Sequence, residues 1–175
     1  MQTFLPFPDF DESVRCLDWR RLGKQRVEAR QIWSIVSGEY ENKNGYPSKW
    51  RNHPAVKMWN GYFESLACYY NHCVKEWERR GYNNSMKFLP ENCGPDPIWL
   101  GCPSFHSSHR QTLLFKKPEW YSQFGWDEQP QYLYVWPIDK SGLSSDVQKW
   151  VMQSPASENS VSRMNQFWEK RYETL

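Results

Sequence analysis

Four cations stand close together near the start of the chain: Arg20, Arg21, Lys24 and Arg26. On a helix, or at a helix start, such a cluster holds guanidinium and ammonium groups in fixed geometry. Phosphate recognition needs that arrangement. The same residues also fit a solvated basic face laced with ion pairs, for example Lys24 with Glu28. Between Arg15 and Arg30 the chain carries six cations and two anions. The whole chain has a formal net charge of only +2. From Asp139 to Leu175 there are five charges of each sign. The positive charge is therefore local.

Aromatic rings are the second resource. Eleven Trp are present, and 17% of residues are aromatic. Exposed rings between cations can stack on unpaired or extruded bases. Trp59, Tyr62, Tyr69 and Trp77 follow a helical apolar stripe and read as core. Trp19, Trp50, Trp120 and Trp126 follow no stripe and stay open to either use.

His106 and His109 lie one helical turn apart, and with Cys93 and Cys102 they offer the ligand types of a zinc site. The cysteines lack the short paired spacing of such sites, so no metal is expected. The two histidines with Arg110 read instead as polar or phosphate-contacting groups at a helix start, or as packing groups. The sequence has no P-loop, dinucleotide-binding glycine motif, nucleophile elbow or His-Glu-His zinc helix. Nucleotide hydrolysis and dinucleotide redox chemistry are disfavoured.

The elements that must hold these residues are mostly helical. Residues 1–10, with Pro6 and Pro8, form an extended lead-in, and Asp11 or Ser13 caps the first helix. That helix is predicted from about Glu12 to Val36, with a break at Gly23 and an apolar stripe of Leu22, Ala29, Trp33 and Val36. Arg20, Lys24, Glu28 and Gln31 share another face. A polar loop runs from Gly38 to Asn52. His53-Pro54 then opens a long helix, striped by Ala55, Met58, Trp59, Tyr62, Leu66, Tyr69, Cys73 and Trp77, that ends at Gly81. Residues 82–103 read as an irregular loop. Ser104 caps a helix from Phe105 to about Phe115. Tyr132 to Trp136 is strand-like or extended. Two short helices are expected beyond Asp139, where Trp150, Phe167, Trp168 and Tyr172 argue for packing.

At 175 residues and a mean hydropathy of −0.88, the chain suits one domain with an appendage. Its aromatic content excludes simple disorder. No apolar run approaches the roughly 20 residues that span a bilayer. The first residues read as no signal peptide. Five scattered cysteines read as reduced thiols of a cytoplasmic protein.

Several segments occur in a telling order: Arg-Leu-Gly-Lys-Gln-Arg-Val-Glu (21–28), Trp-Arg-Asn-His-Pro-Ala-Val (50–56), Arg-Arg-Gly-Tyr (79–82), Pro-Ile-Trp-Leu-Gly (97–101), Phe-His-Ser-Ser-His-Arg (105–110), Lys-Pro-Glu-Trp-Tyr (117–121) and Tyr-Val-Trp-Pro (134–137). Together they resemble the pyrimidine-dimer DNA glycosylase family, whose phage prototype is called endonuclease V, and more closely its bacterial branch. The likeness covers about residues 1–137.

The resemblance implies a mainly α fold. It would be a compact single-domain helical bundle with irregular loops over 1–137, with a C-terminal extension, 138–175, packed on it. It implies a DNA repair N-glycosylase with AP-lyase activity on duplex DNA, using no metal or cofactor and no membrane. In such enzymes a base is flipped, the glycosidic bond is cut and the abasic site is nicked. The attacking group is the N-terminal α-amine, a nearby Glu assists, and arginines hold phosphates. An α-amine suits the task. Its ordinary pKa lies near 8, so at neutral pH it is roughly 300-fold richer in neutral amine than a lysine.

Carried onto this chain, the amine is that of Met1, because the bulky Gln2 disfavours trimming. A freed Gln2 would also cyclise. Arg21 stands where the family's Glu belongs, so the carboxylate role passes to Glu28 or Asp18. Lys24 is a second candidate amine. The DNA-facing set is Arg20, Arg21, Arg26, His53, His106, His109, Arg110 and Trp120. Two other functions fit the residues: a non-catalytic DNA-binding module, and an enzyme acting on hypermodified bases or nucleotides.

Overall fold

A computed structural model describes residues 1–138 and the single position Lys149. The extension, with its two expected helices, lies outside the described residues, as does the packing expected of Trp150, Phe167, Trp168 and Tyr172. The described residues form helices α1 (Phe10–Cys16), α2 (Trp19–Val36), α3 (Glu39–Asn44), α4 (Pro54–Lys57), α5 (Phe63–Arg79), α6 (Pro103–Lys116) and α7 (Pro118–Tyr121). Short 3-10 turns occupy Lys49–Asn52 and Ser122–Phe124. There is no strand among them, so the architecture is mainly α.

Two expected helices break in different places from those the periodicity suggests. The first segment divides at Leu17-Asp18 rather than at Gly23. Asp18 takes an extended conformation and its carboxylate accepts the backbone N–H groups of Arg20 and Arg21. That is ordinary N-cap chemistry, and it starts α2 cleanly. From the other side, Arg80 donates to the carbonyls of Leu17 and Arg15 and so closes the end of α1. Glu76, only 3% exposed, holds Arg80 and Arg79 in place. Gly23 instead sits inside α2, where a Cβ would come 3.1 Å from the Trp77 ring. The glycine serves helix packing rather than a break. α1 is capped by Asp9, not by Asp11 or Ser13.

The second long segment divides between α4 and α5. The chain turns at Asn60-Gly61, where Gly61 has φ of 81°. An apolar stripe cannot report this turn, because both sides of it are buried. The Gly38–Asn52 loop contains α3 and a 3-10 turn. The cap of α6 is Cys102 rather than Ser104, with Pro103 in the first turn.

The core lies between α2 and α5, with α1 and α6 against its sides. Leu22, Ala29 and Ile32 from α2 meet Leu66, Tyr69, Tyr70, Cys73 and Val74 from α5, all fully buried. Rings fill the centre. Trp59 packs edge-on to Trp99 at 5.0 Å, and Trp99 meets Phe105 at 4.8 Å. Their indole N–H groups are satisfied, Trp59 by Thr3 Oγ1 and Trp99 by the Met58 carbonyl. Aromatic rings each bury roughly 150–250 Å², which lets a hydrophilic chain build a core from few residues.

Tyr132–Val135 does not form a strand. It runs beside α6 and is held by helix side chains. Thr112 Oγ1 donates to the Leu133 carbonyl, and Ser108 Oγ accepts from the Val135 N–H. The cysteines also depart from expectation. Cys68 and Cys93 form a disulfide that ties the loop after α5 back to that helix. Cys16, Cys73 and Cys102 are free and buried. Burial pushes the Cys16 and Cys73 thiols well above the usual thiol range. No described helix is long and apolar enough to cross a membrane.

Candidate active site

The first residues of the chain are buried, and side chains rather than a neighbouring strand satisfy their backbone. Gln25, fully buried in α2, does most of this. Its Oε1 accepts from the Phe4 N–H at 2.8 Å and from Tyr69 Oη at 2.7 Å, and its Nε2 donates to the Gln2 carbonyl at 3.0 Å. Tyr69 Oη lies 2.8 Å from the Phe4 carbonyl. Leu5 is gripped by two histidines. Its N–H donates to His109 Nδ1 at 2.9 Å, and its carbonyl accepts from His106 Nδ1 at 2.7 Å. Arg110 Nη1 donates to the Pro6 carbonyl. A buried backbone demands such partners, and here each comes from an element that the core has already fixed.

This pinning sets the chain's beginning against α2. The Gln2 N–H donates to Glu28 Oε2 at 3.0 Å. Glu28 therefore binds the N-terminal arm, and the Lys24–Glu28 pair is not formed. Met1, Gln2 and Glu28 line one cleft of about 640 Å³. Arg20, Arg21 and Lys24 line it from α2, and Lys116 and Lys117 from the end of α6. Phe4, Trp19, Tyr132 and Tyr134 supply aromatic walls, and Glu119 adds a second carboxylate to that of Glu28. The arrangement brings an amine-bearing terminus, two carboxylates, five cations and four rings to one place.

Asp18, the other carboxylate considered, is fully buried and already committed. Its Oδ2 accepts from Arg21 Nη1 at 2.6 Å and from Tyr121 Oη at 2.8 Å. Burial raises its pKa, but these donors outweigh burial and leave it below the ordinary value. Asp18 organises Arg21 and the start of α2, and does not line the cleft.

His53 does not line the cleft. Burial pushes its imidazole below the usual histidine value, and the positive charge of the N-terminus pushes further, with Glu28 opposing. Its Nδ1 accepts from the Ala55 N–H and so caps α4.

Several of the expected DNA-facing residues are used elsewhere. Arg26 turns away from the cleft, stacks 3.9 Å over the Trp77 ring and donates to Asn84. A helix places every third or fourth residue on one face, so Arg26 cannot share the face of Arg20 and Lys24. His106 and His109 are 2% and 0% exposed and grip the N-terminal arm through their Nδ1 atoms. Arg110 pairs with Glu128 at 2.6 Å. Trp120 donates to the Cys16 carbonyl and packs on the core. Lys116, Lys117 and the two tyrosines are site residues that the sequence reading misses. Lys117 and Tyr134 do fall in segments that carry the family resemblance, and the paired lysines just past a predicted helix are the signal for Lys116.

Burial drives His106 down to about 4, with the Arg110 charge adding and the bond to Leu5 opposing. His109 falls well below the usual value, through burial first and then the nearby His106 and Arg110 charges. Both are therefore neutral near pH 7, with opposite tautomers inferred from their partners. His106 carries its proton on Nδ1 for the Leu5 carbonyl. His109 carries its proton on Nε2, leaving Nδ1 to accept.

Neither a curated protein nor a solved structure matched this sequence. A family model described as pyrimidine dimer DNA glycosylase matches residues 1–90, a little over half of the chain, and covers the N-terminal arm, all of α2 and all of α5. The buried arm, the carboxylate and the cationic cleft thus sit within or beside the matched region, and the chain belongs to the pyrimidine dimer DNA glycosylase family.

Proposed function

We propose that the protein is a DNA repair N-glycosylase with AP-lyase activity. Its substrate is a pyrimidine dimer, or another damaged or modified pyrimidine, in duplex DNA. The observation that carries this reading is the Gln2 N–H on Glu28, 3.0 Å away, inside a cleft with five cations.

The reaction follows from those parts. The neutral α-amine of Met1, one residue ahead of Gln2, attacks C1′ of the damaged nucleotide. The glycosidic bond breaks and the base leaves with the bonding pair. Glu28 stabilises the positive charge that develops on the sugar and carries protons between steps. Ring opening gives a protonated imine between the amine and C1′. Loss of a C2′ proton then expels the 3′-phosphate. Arg20, Arg21 and Lys24 hold the flanking phosphates of a bent duplex, and exposed rings at the cleft wall support an unstacked base.

Borohydride trapping on ultraviolet-irradiated duplex tests the reading. A covalent adduct that disappears when the α-amine is blocked supports it. Salt-dependent binding with no adduct and no nicking on any lesion would leave only a binding module.

A further inference from the structure

We propose that Lys116 Nζ is a second Schiff-base-forming amine of this cleft, acting on the C1′ aldehyde of an abasic site. The inference deepens the glycosylase and lyase reading above and rests on it. Three lysines line the cleft, Lys24, Lys116 and Lys117, and their settings differ. Lys24 on α2 and Lys116 at the end of α6 are both exposed, and Lys117 is half-buried. Lys117 sits over the Trp120 ring at 5.6 Å. Lys116 closes the last turn of α6, a helix anchored by the buried Phe105, Thr112 and Leu113. Its Nζ lies 4.5 Å from the centre of the Tyr132 ring, and that ring packs edge-on to Phe115 and Tyr134. The Tyr132 face holds the amine at the cleft wall, and this contact by itself favours the ammonium form.

The charges around it act in the direction that nucleophilicity needs. Partial burial pushes the Lys116 ammonium below the usual lysine value, Arg21 and Lys24 push it further, and Glu28 opposes. Arg20, Lys117, Glu119 and the N-terminus line the same cleft. A lysine among other cations keeps a larger neutral fraction, and the neutral amine is the nucleophile.

The step balances without a cofactor. The Nζ lone pair adds to the C1′ aldehyde carbon and forms a carbinolamine. Loss of water leaves a protonated imine. A C2′ proton passes to Glu28, the C2′–H pair forms the new double bond, and the 3′-phosphate departs with its bonding pair. Hydrolysis then returns the free lysine.

The test uses the full chain on duplex DNA containing an abasic site, reduced with borohydride, with the α-amine either free or acetylated. Peptide mapping locates the adduct. The acetylated protein is expected to retain a trapped fraction that maps to Lys116. In that background Lys116→Arg should lower trapping about tenfold while abasic-duplex binding persists, because arginine keeps the charge but forms no stable imine. Trapping that needs a free α-amine, or an adduct on Lys24 or Lys117 alone, overturns the proposal. An adduct on Lys116 with none on the N-terminus upholds it and overturns the N-terminal route. No adduct in either background overturns both.

Discussion

The backbone nitrogen of Gln2 and the carboxylate of Glu28 are 26 positions apart in sequence and 3.0 Å apart in space. This contact turns an ordinary helix carboxylate into a partner for the chain terminus. Glu28→Gln should lower nicking of irradiated duplex about 100-fold or more under single-turnover conditions. Thermal stability should change little, because the amide oxygen still accepts from the Gln2 N–H. Retained nicking in this variant would remove Glu28 from the chemistry.

Gln25 should be the stability switch of the arm. Gln25→Ala leaves the Phe4 N–H and the Gln2 carbonyl buried without their partner. Unmade buried bonds of this kind cost about 1–3 kcal/mol each, so a loss of about 3 kcal/mol is expected. Chemical denaturation measures it. Hydrogen exchange at the Phe4 amide should rise by more than exchange in the centre of α5.

Acid should loosen the same arm. His106 has a folded-state pKa lowered to about 4 from 6.5, and His109 is lowered as well. The unfolded chain takes up these protons first. Their destabilising effect is absent well above pH 6.5 and grows as pH falls through 6.5 toward 4. His106 alone contributes a loss of roughly 3 kcal/mol across that window. Urea midpoints between pH 7.5 and 4 should fall accordingly. Ring resonances that titrate near 6.5 in the folded state would contradict this.

Arg20 and Arg26 separate binding from folding. Arg20→Ala or Lys24→Ala should weaken duplex binding and reduce the salt slope by about one phosphate contact each. Arg26→Ala should leave the slope alone and lower stability by about 1–2 kcal/mol, through its lost stacking on Trp77. Affinity titrations at several salt concentrations distinguish the two.

Reduction of Cys68–Cys93 should lower stability by about 3 kcal/mol, as expected for a crosslink spanning 25 residues. Melting with and without reductant measures it. The cleft lies on other elements, so DNA affinity below the transition should be unaffected.

The mainly helical class, the packing stripe of α5 and the cationic surface of Arg20, Arg21 and Lys24 were legible in the sequence. Each depends on spacing within a single helix, and helical periodicity is local. Glu28 could be singled out for a similar reason, since it lies one turn beyond Lys24. The helix boundaries were less legible. Asp18 and Gly61 end or begin elements through capping and turn geometry, which an apolar stripe does not record.

Tertiary structure alone decided how the remaining polar residues were spent. His106 and His109 look like phosphate ligands in a list of residues, yet both grip Leu5, over 100 positions away. Lys116 looks like an ordinary helix-end lysine until α6 packs and brings it beside Arg21, Lys24 and Glu28. Local sequence determines which side chains share a helix face. Only the packed core determines which faces meet, and that meeting placed the first residues of the chain against the carboxylate.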